Sequence, residues 1–242
     1  MGLLVSHRQM SLGLPEPPPR PGRGGARVGA GRKRAHPDRR PDVPHVSRPG
    51  HAPGVPVHVT LRARREVAFL RSEVVLARVK AAFARGQREE FRIVAFSVQR
   101  DHVHLVLEAG GTPDLRRGLQ GLTTRLARAI NRGIGRRGRV WADRYHRRDL
   151  ASPTEVRQAL VYVLQNGQKH GVVRPGALDA ASSAPLFYGW NADGEALRTA
   201  MGTPPLVRDP PISLPRTWLG GVGWLLIGGG RIDPREAPRA RG

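Results

Sequence analysis

Residues 99–109 read QRDHVHLVLEA. Side chains on a β-strand alternate between its two faces. As a strand, this stretch points His102, His104, Val106 and Glu108 one way and Val103, Leu105 and Leu107 the other. The aliphatic set reads as a core face, with the histidines looking out from the opposite side. Two imidazoles on one face are close enough to share an ion, a substrate or a water. Taken alone, the pattern also fits two half-exposed histidines on an ordinary strand.

Working outward, FRIVAFSV (91–98) is a second strand pattern, joined to the first by a tight QRD connection that predicts a hairpin. Upstream, VPVHVTLRA alternates Val57, Val59 and Leu61 with His58, Thr60 and Arg62. Between these strands, from Glu66 to Arg85, the period turns helical, with Phe69, Leu76, Val79 and Phe83 on one stripe. Downstream, TPDLRRGLQGLTTRLARAINRGIGRRG (112–138) predicts a helix capped by Thr112, with Pro113 in its first turn. Leu115, Leu119, Leu122, Leu126 and Ile130 form its apolar stripe. A last helix opens at SPTE, where Ser152 and Glu155 make a capping box. Val156, Leu160, Val163 and Leu164 give its buried face, and Gln158, Tyr162, Asn166 and Lys169 run along another. A fourth strand could hide in 139–150. The order predicts an α+β fold, a ferredoxin-like antiparallel sheet backed by helices.

The chain has 242 residues, no cysteine and a formal net charge of +22. Disulfides and thiolate zinc sites are therefore excluded. No apolar run reaches the length of a membrane span; WLGGVGWLLIGGG (218–230) is short and broken by glycine. The start shows no cleavable signal pattern, so a cytoplasmic, nucleoid-associated protein is expected. So one-sided a charge points to a polyanionic partner, nucleic acid first. Residues 1–50 hold nine prolines, eight glycines and ten basic residues against three acidic ones, and read as a disordered basic arm. Residues 51–175 are expected to form the folded domain and 176–242 a loosely packed, irregular extension.

Between 115 and 148 there are eleven arginines and one acid, Asp143. Arg116, Arg117, Arg128 and Arg132 lie off the leucine stripe, and Arg139, Arg144 and Arg147 follow in the loop. With Lys169, these are the expected DNA contacts. Trp141 is expected to pin that loop to the core, and Tyr145, among arginines, to suit stacking on unpaired bases.

Tyr162 and Asn166 stand one helical turn apart, so both can face one point. Two imidazoles plus an amide oxygen suit magnesium or manganese engaged with a phosphate better than a tight zinc site. Tyr162 could then act as a nucleophile, helped by a metal that polarises the phosphate. The structural alternatives are a half-buried helix tyrosine and an asparagine C-cap before Gly167.

A strand carrying His-hydrophobic-His, followed by a helix with one tyrosine and an asparagine four residues on, resembles the single-tyrosine HUH transposases, and within them the REP-associated tyrosine transposase branch. HVTLR (58–62), DHVHLVLE (101–108), RVWADRYHRR (139–148) and YVLQNGQKHGVV (162–173) resemble its landmarks in order, covering about residues 55–175. Gly167 stands where that family often has proline, and Gln99–Arg100 where it often has Met-Pro. The resemblance implies a nuclease acting on single-stranded DNA, typically a hairpin-forming repeat. It implies that His102, His104 and Asn166 hold Mg2+ or Mn2+, and that Tyr162 attacks the scissile phosphate to leave a 5′-phosphotyrosine and a free 3′ hydroxyl. Single-stranded or hairpin DNA is the expected partner, with no membrane and no small-molecule substrate, and with self-association left open. Two other classes remain: a non-catalytic DNA- or RNA-binding protein on the same fold, and an RNA-binding protein of the ribosomal kind.

Overall fold

The computed structural model describes residues 48–67, 69–202, 209–227 and 230–237. Almost all of the expected basic arm, residues 1–47, lies outside them. Four strands, β1 (Val57–Arg62), β2 (Phe91–Val98), β3 (His102–Ala109) and β4 (His146–Asp149), form one sheet in the order β2-β3-β1-β4. Every pair is antiparallel. Helix α1 (Glu73–Ala84) connects β1 to β2, and β3 returns between them, which is the expected ferredoxin-like arrangement. The strand sought in 139–150 is β4, an edge strand paired to β1.

Alternation in the strands sets what each face buries. Val57, Val59, Leu61, Val103, Leu105 and Leu107 point to one side, where they meet α1 and α2 (Thr112–Gly133). The α2 stripe Leu115, Leu119, Leu122, Leu126 and Ile130 is buried throughout, none more than 1% exposed. Each such side chain contributes about 1.5–3 kcal/mol of burial, so this layer dominates stability.

The other face is covered as well. Val106 of β3 meets Val156, Leu160, Val163 and Leu164 of α3 (Pro153–Leu164), together with Trp190, Trp224 and Ile232. The described residues after 176 are irregular in secondary structure, with only the short helices α5 (Ala192–Ala200) and α6 (Trp218–Gly221) as α-helix among them, yet they are not loosely packed. Trp190 and Ile232 are fully buried. Arg71 grips Asp179 through two hydrogen bonds of 2.8 Å, and buried Glu108 accepts from Arg216 N, Thr217 N and Thr217 Oγ1. A few isolated large side chains, the Arg71–Asp179 pair and the hydrogen bonds of buried Glu108 therefore hold this segment without regular periodicity.

Three local expectations change. The helix expected from Glu66 begins only at Glu73; a 3-10 turn spans Arg65–Val67, and Phe69 has φ 87°, which no helix accommodates. Phe69 leaves the expected stripe and is 63% exposed. The cap of α2 is Gly111, while the Thr112 hydroxyl accepts from His51 N at 2.7 Å. At α3, Ser152 Oγ accepts from Glu155 N as expected, but the Glu155 carboxylate returns to Ala151 N, one residue earlier than in the usual box. Among the described residues, no helix is long and apolar enough to cross a membrane.

Candidate active site

The site grows from the register of β1 on β3. Thr60 stands directly opposite His104, and Arg62 opposite His102, on the face that α3 covers. His102 and His104, two apart on β3, have ring centroids 4.8 Å apart at 84°. His104 does not look into solvent: it is 4% exposed, because α3 and the C-terminal segment close over this side of the sheet, while His102 is half-buried.

Each ring is held at Nδ1. His102 Nδ1 lies 2.8 Å from Asp101 Oδ1. A carboxylate there fixes the tautomer and leaves Nε2 as the basic nitrogen, the arrangement usual behind metal-bound histidines. Burial disfavours charge on Asp101, but the hydrogen bond and charge of His102, with Arg62 and a backbone hydrogen bond, hold its carboxyl below the ordinary value. His104 Nδ1 is 3.1 Å from Thr60 Oγ1 and 3.3 Å from His58 Nε2.

Helix α3 delivers Tyr162. Its ring stands edge-on to His104, centroids 5.0 Å apart at 84°, and 5.8 Å from His58. Lys169 Nζ lies over the same ring, 4.8 Å from its centre. His170 comes 5.5 Å from His102. Burial, then the positive charges of His102 and Lys169, keep the His170 imidazole below its ordinary pKa, against an opposing pull from Asp101.

Asn166 does not continue the Tyr162 helix. α3 ends at Leu164, Gln165 is its C-cap, and Asn166 opens the four-residue helix α4 (Asn166–Lys169). The C-cap role is thus taken by Gln165. Asn166 is fully buried, and neither Nδ2 nor Oδ1 has a hydrogen-bond partner among the described residues. Leaving a buried amide unpaired costs about 1–3 kcal/mol, so this side chain is not explained by folding alone. Gly167 fits its place because a Cβ there would overlap the Asp179 carboxylate and Val173.

A divalent ion fits this donor set. It offers two imidazoles, one with its outer nitrogen fixed by a carboxylate, and a buried amide oxygen without a partner. Among the described residues no three His, Cys, Asp or Glu side chains are placed to hold a metal ion by themselves.

The expected basic residues divide. Arg116, Arg117, Arg128 and Arg132 stand exposed along α2, with Arg117 bonded to Asp114 at 2.6 Å. Arg139 folds back on the carbonyls of Trp141 and Ala142. Arg147 pairs with Asp149 at 3.0 Å and donates to the Pro49 and Gly50 carbonyls, which ties it to the fold. Arg144 is half-buried and engaged, and Lys169 is exposed beside Tyr162. Trp141 pins the loop through its Nε1 donating to Thr123 O at 3.0 Å. Tyr145 is packed on the core with Arg48 3.7 Å above its ring, so that face is already taken. Tyr188 is 63% exposed, away from regular structure.

His58 is the site residue that reading the sequence did not single out. Its signals are its place on the polar face of β1 and at the head of the HVTLR stretch, and the first becomes meaningful once β1 is paired with β3.

Residues 52–165 match the family model described as IS200-like transposase. No curated protein matches the sequence. A solved structure described as the REP-associated tyrosine transposase bound to a REP hairpin aligns with a TM-score of 0.49 and 18% identity, over 58% of this chain and 82% of that one.

Proposed function

Because residues 52–165 match the family model described as IS200-like transposase, we propose that the protein is a DNA strand transferase that cleaves and rejoins single-stranded or hairpin DNA through a covalent tyrosine intermediate. The observation that carries the reading is the Tyr162 ring lodged against His104, beside His102 and under Lys169. Tyr162 Oη attacks the scissile phosphorus. An O–P bond to tyrosine forms as the bond to the 3′ oxygen breaks; the phenol proton passes to solvent and the leaving oxygen takes one up. The products are a 5′-phosphotyrosine and a free 3′ hydroxyl. The ester energy is retained in the link, so the strand can be rejoined elsewhere without ATP.

His102, His104 and Asn166 would hold Mg2+ or Mn2+, which supplies charge to polarise the phosphate. Asp101, Thr60 and His58 orient the two imidazoles through their Nδ1 atoms. Lys169 keeps positive charge on the side of Tyr162 where a phosphate must arrive. The +22 net charge draws the DNA strand in, and the exposed arginines of α2 hold its backbone.

The test is incubation with hairpin-bearing single-stranded DNA and manganese, followed by denaturing electrophoresis. The expected result is a covalent protein–DNA band that EDTA removes. DNA binding without such a band would mark a non-catalytic binder on the same fold. Preference for RNA, with no metal dependence, would mark an RNA-binding protein.

A further inference from the structure

Phe69 is the only non-glycine residue among the described residues with a positive φ, 87°. A bulky side chain in that region is a genuine outlier, and glycine or asparagine would adopt it at less cost. The ring does not repay the strain by burial, since it is 63% exposed. The chain is tied down at Phe69 and Leu70. Val67 and Leu70, each 1% exposed, anchor it on either side. The N–H groups of Phe69 and Leu70 both donate to the Arg100 carbonyl, at 2.9 and 3.0 Å. Arg100 lies in the β2–β3 turn, just before His102, and its guanidinium sits over the Phe69 ring, 5.0 Å from the centre. The fold therefore holds an exposed aromatic ring and a cation together at the head of the histidine strand.

We propose that Phe69 and Arg100 form a stacking site for one unpaired base of single-stranded DNA. The proposal rests on the DNA-processing reading above and names where the strand is gripped beside the site. Every base presents a π-face, so an aromatic ring binds it with little regard to sequence, and arginine adds a planar cation for base or phosphate. The charge around the ring suits the same occupant. Arg62, Arg64 and Arg65 are exposed nearby; the acids there, Asp101 and Glu66, are already matched to Arg62 at 3.7 Å and Arg64 at 2.7 Å. Duplex DNA keeps its bases stacked inside and offers nothing to such a ring. Strain held at an exposed aromatic next to candidate catalytic groups is the kind kept for ligand contact rather than folding.

The experiment compares the full-length wild-type protein with Phe69→Gly and Phe69→Trp for affinity to single-stranded and duplex DNA, alongside thermal stability. Phe69→Gly removes the ring and suits the positive φ, so its Tm should equal or exceed that of wild type. Its affinity for single-stranded DNA should fall roughly tenfold, with duplex affinity unchanged, while Phe69→Trp retains single-strand affinity. Photocrosslinking to 5-iodouracil in the single strand should map to Phe69. Single-strand affinity of Phe69→Gly within about twofold of wild type, or an equal loss for duplex, would overturn the stacking site alone. A Tm loss in Phe69→Gly would also overturn it, by making the ring structural. A wild-type protein that ignores single-stranded DNA would overturn this proposal and the DNA-processing reading together.

Discussion

Tyr162 and His104 meet edge to face, 5.0 Å between ring centres, although one rides on a helix and the other on a central strand. The contact exists because α3 packs its apolar face onto the same side of the sheet that carries the histidines. Burying Val156, Leu160 and Val163 thus fixes where Tyr162 stands. Core packing and site geometry are one arrangement here.

The carboxylate behind His102 should matter nearly as much as the proposed ligand itself. Asp101→Asn keeps shape but weakens the pull on Nδ1. Loss of such a partner typically costs about 10–100-fold in metal affinity or activity. A titration of adduct formation against manganese should show the half-maximal concentration moving upward by that order. An unchanged midpoint would mean that Asp101 does not support a metal-bound imidazole.

Asn166 should trade stability for activity. Replacing a buried, unpaired amide by an apolar group of similar shape is nearly neutral or stabilising. Asn166→Leu is therefore expected to hold or raise Tm in EDTA while depressing adduct yield, and Asn166→Ala to be the milder lesion in yield because water can replace one neutral ligand. A clear drop in Tm of Asn166→Leu in EDTA would show that the amide is structural after all.

The start of α3 supplies a pH signature. Glu155 is held below the ordinary carboxylate pKa by its hydrogen bond to Arg148, with Ala151 N–H, the Arg148 charge and Ser152 adding to this against a smaller opposing effect of burial. A lowered folded pKa stabilises above the unfolded value near 4.5 and loses that contribution as pH falls through the folded value. Ser152→Ala should cost about 0.5–2 kcal/mol at neutral pH. Glu155→Gln should destabilise at pH 7, and the gap to wild type should close as pH drops below about 4.5 in denaturant melts. A gap that persisted at acid pH would assign the effect to packing.

The exposed arginines of α2 should act on salt dependence. Arg116→Ala with Arg128→Ala is expected to lower the slope of log affinity against log salt by roughly one unit or less per residue. Arg147→Ala should instead reduce stability, because that side chain is bonded to Asp149 and to the Pro49 and Gly50 carbonyls. Salt slopes identical to wild type for the α2 pair would make that face ordinary solvated surface.

The strands, α2 and the capped start of α3 were legible in the sequence because their periodicity is unbroken and their caps are local. What was hidden depends on contacts across the chain. His58 gains its meaning only when β1 lies beside β3 and brings its Nε2 to His104. The outer face of the histidine strand reads as exposed until Trp190, Trp224 and Ile232 close over it, and these are single large residues in a segment without a repeat. Phe69 matched the helical stripe by spacing, yet its backbone turns left-handed because neighbours Val67 and Leu70 are both drawn into the core. The break between Tyr162 and Asn166 was likewise invisible, since Gln165 carries no signal of a helix end.

The central claim is that Tyr162 becomes joined to DNA. Tyr162→Phe removes the attacking oxygen and keeps the ring that meets His104 and Lys169. The direct measurement is the yield of covalent complex formed by this variant with hairpin-bearing single-stranded DNA and manganese, read beside its DNA affinity. The expected result is no adduct, with affinity close to wild type. A normal yield of covalent complex from Tyr162→Phe would contradict it.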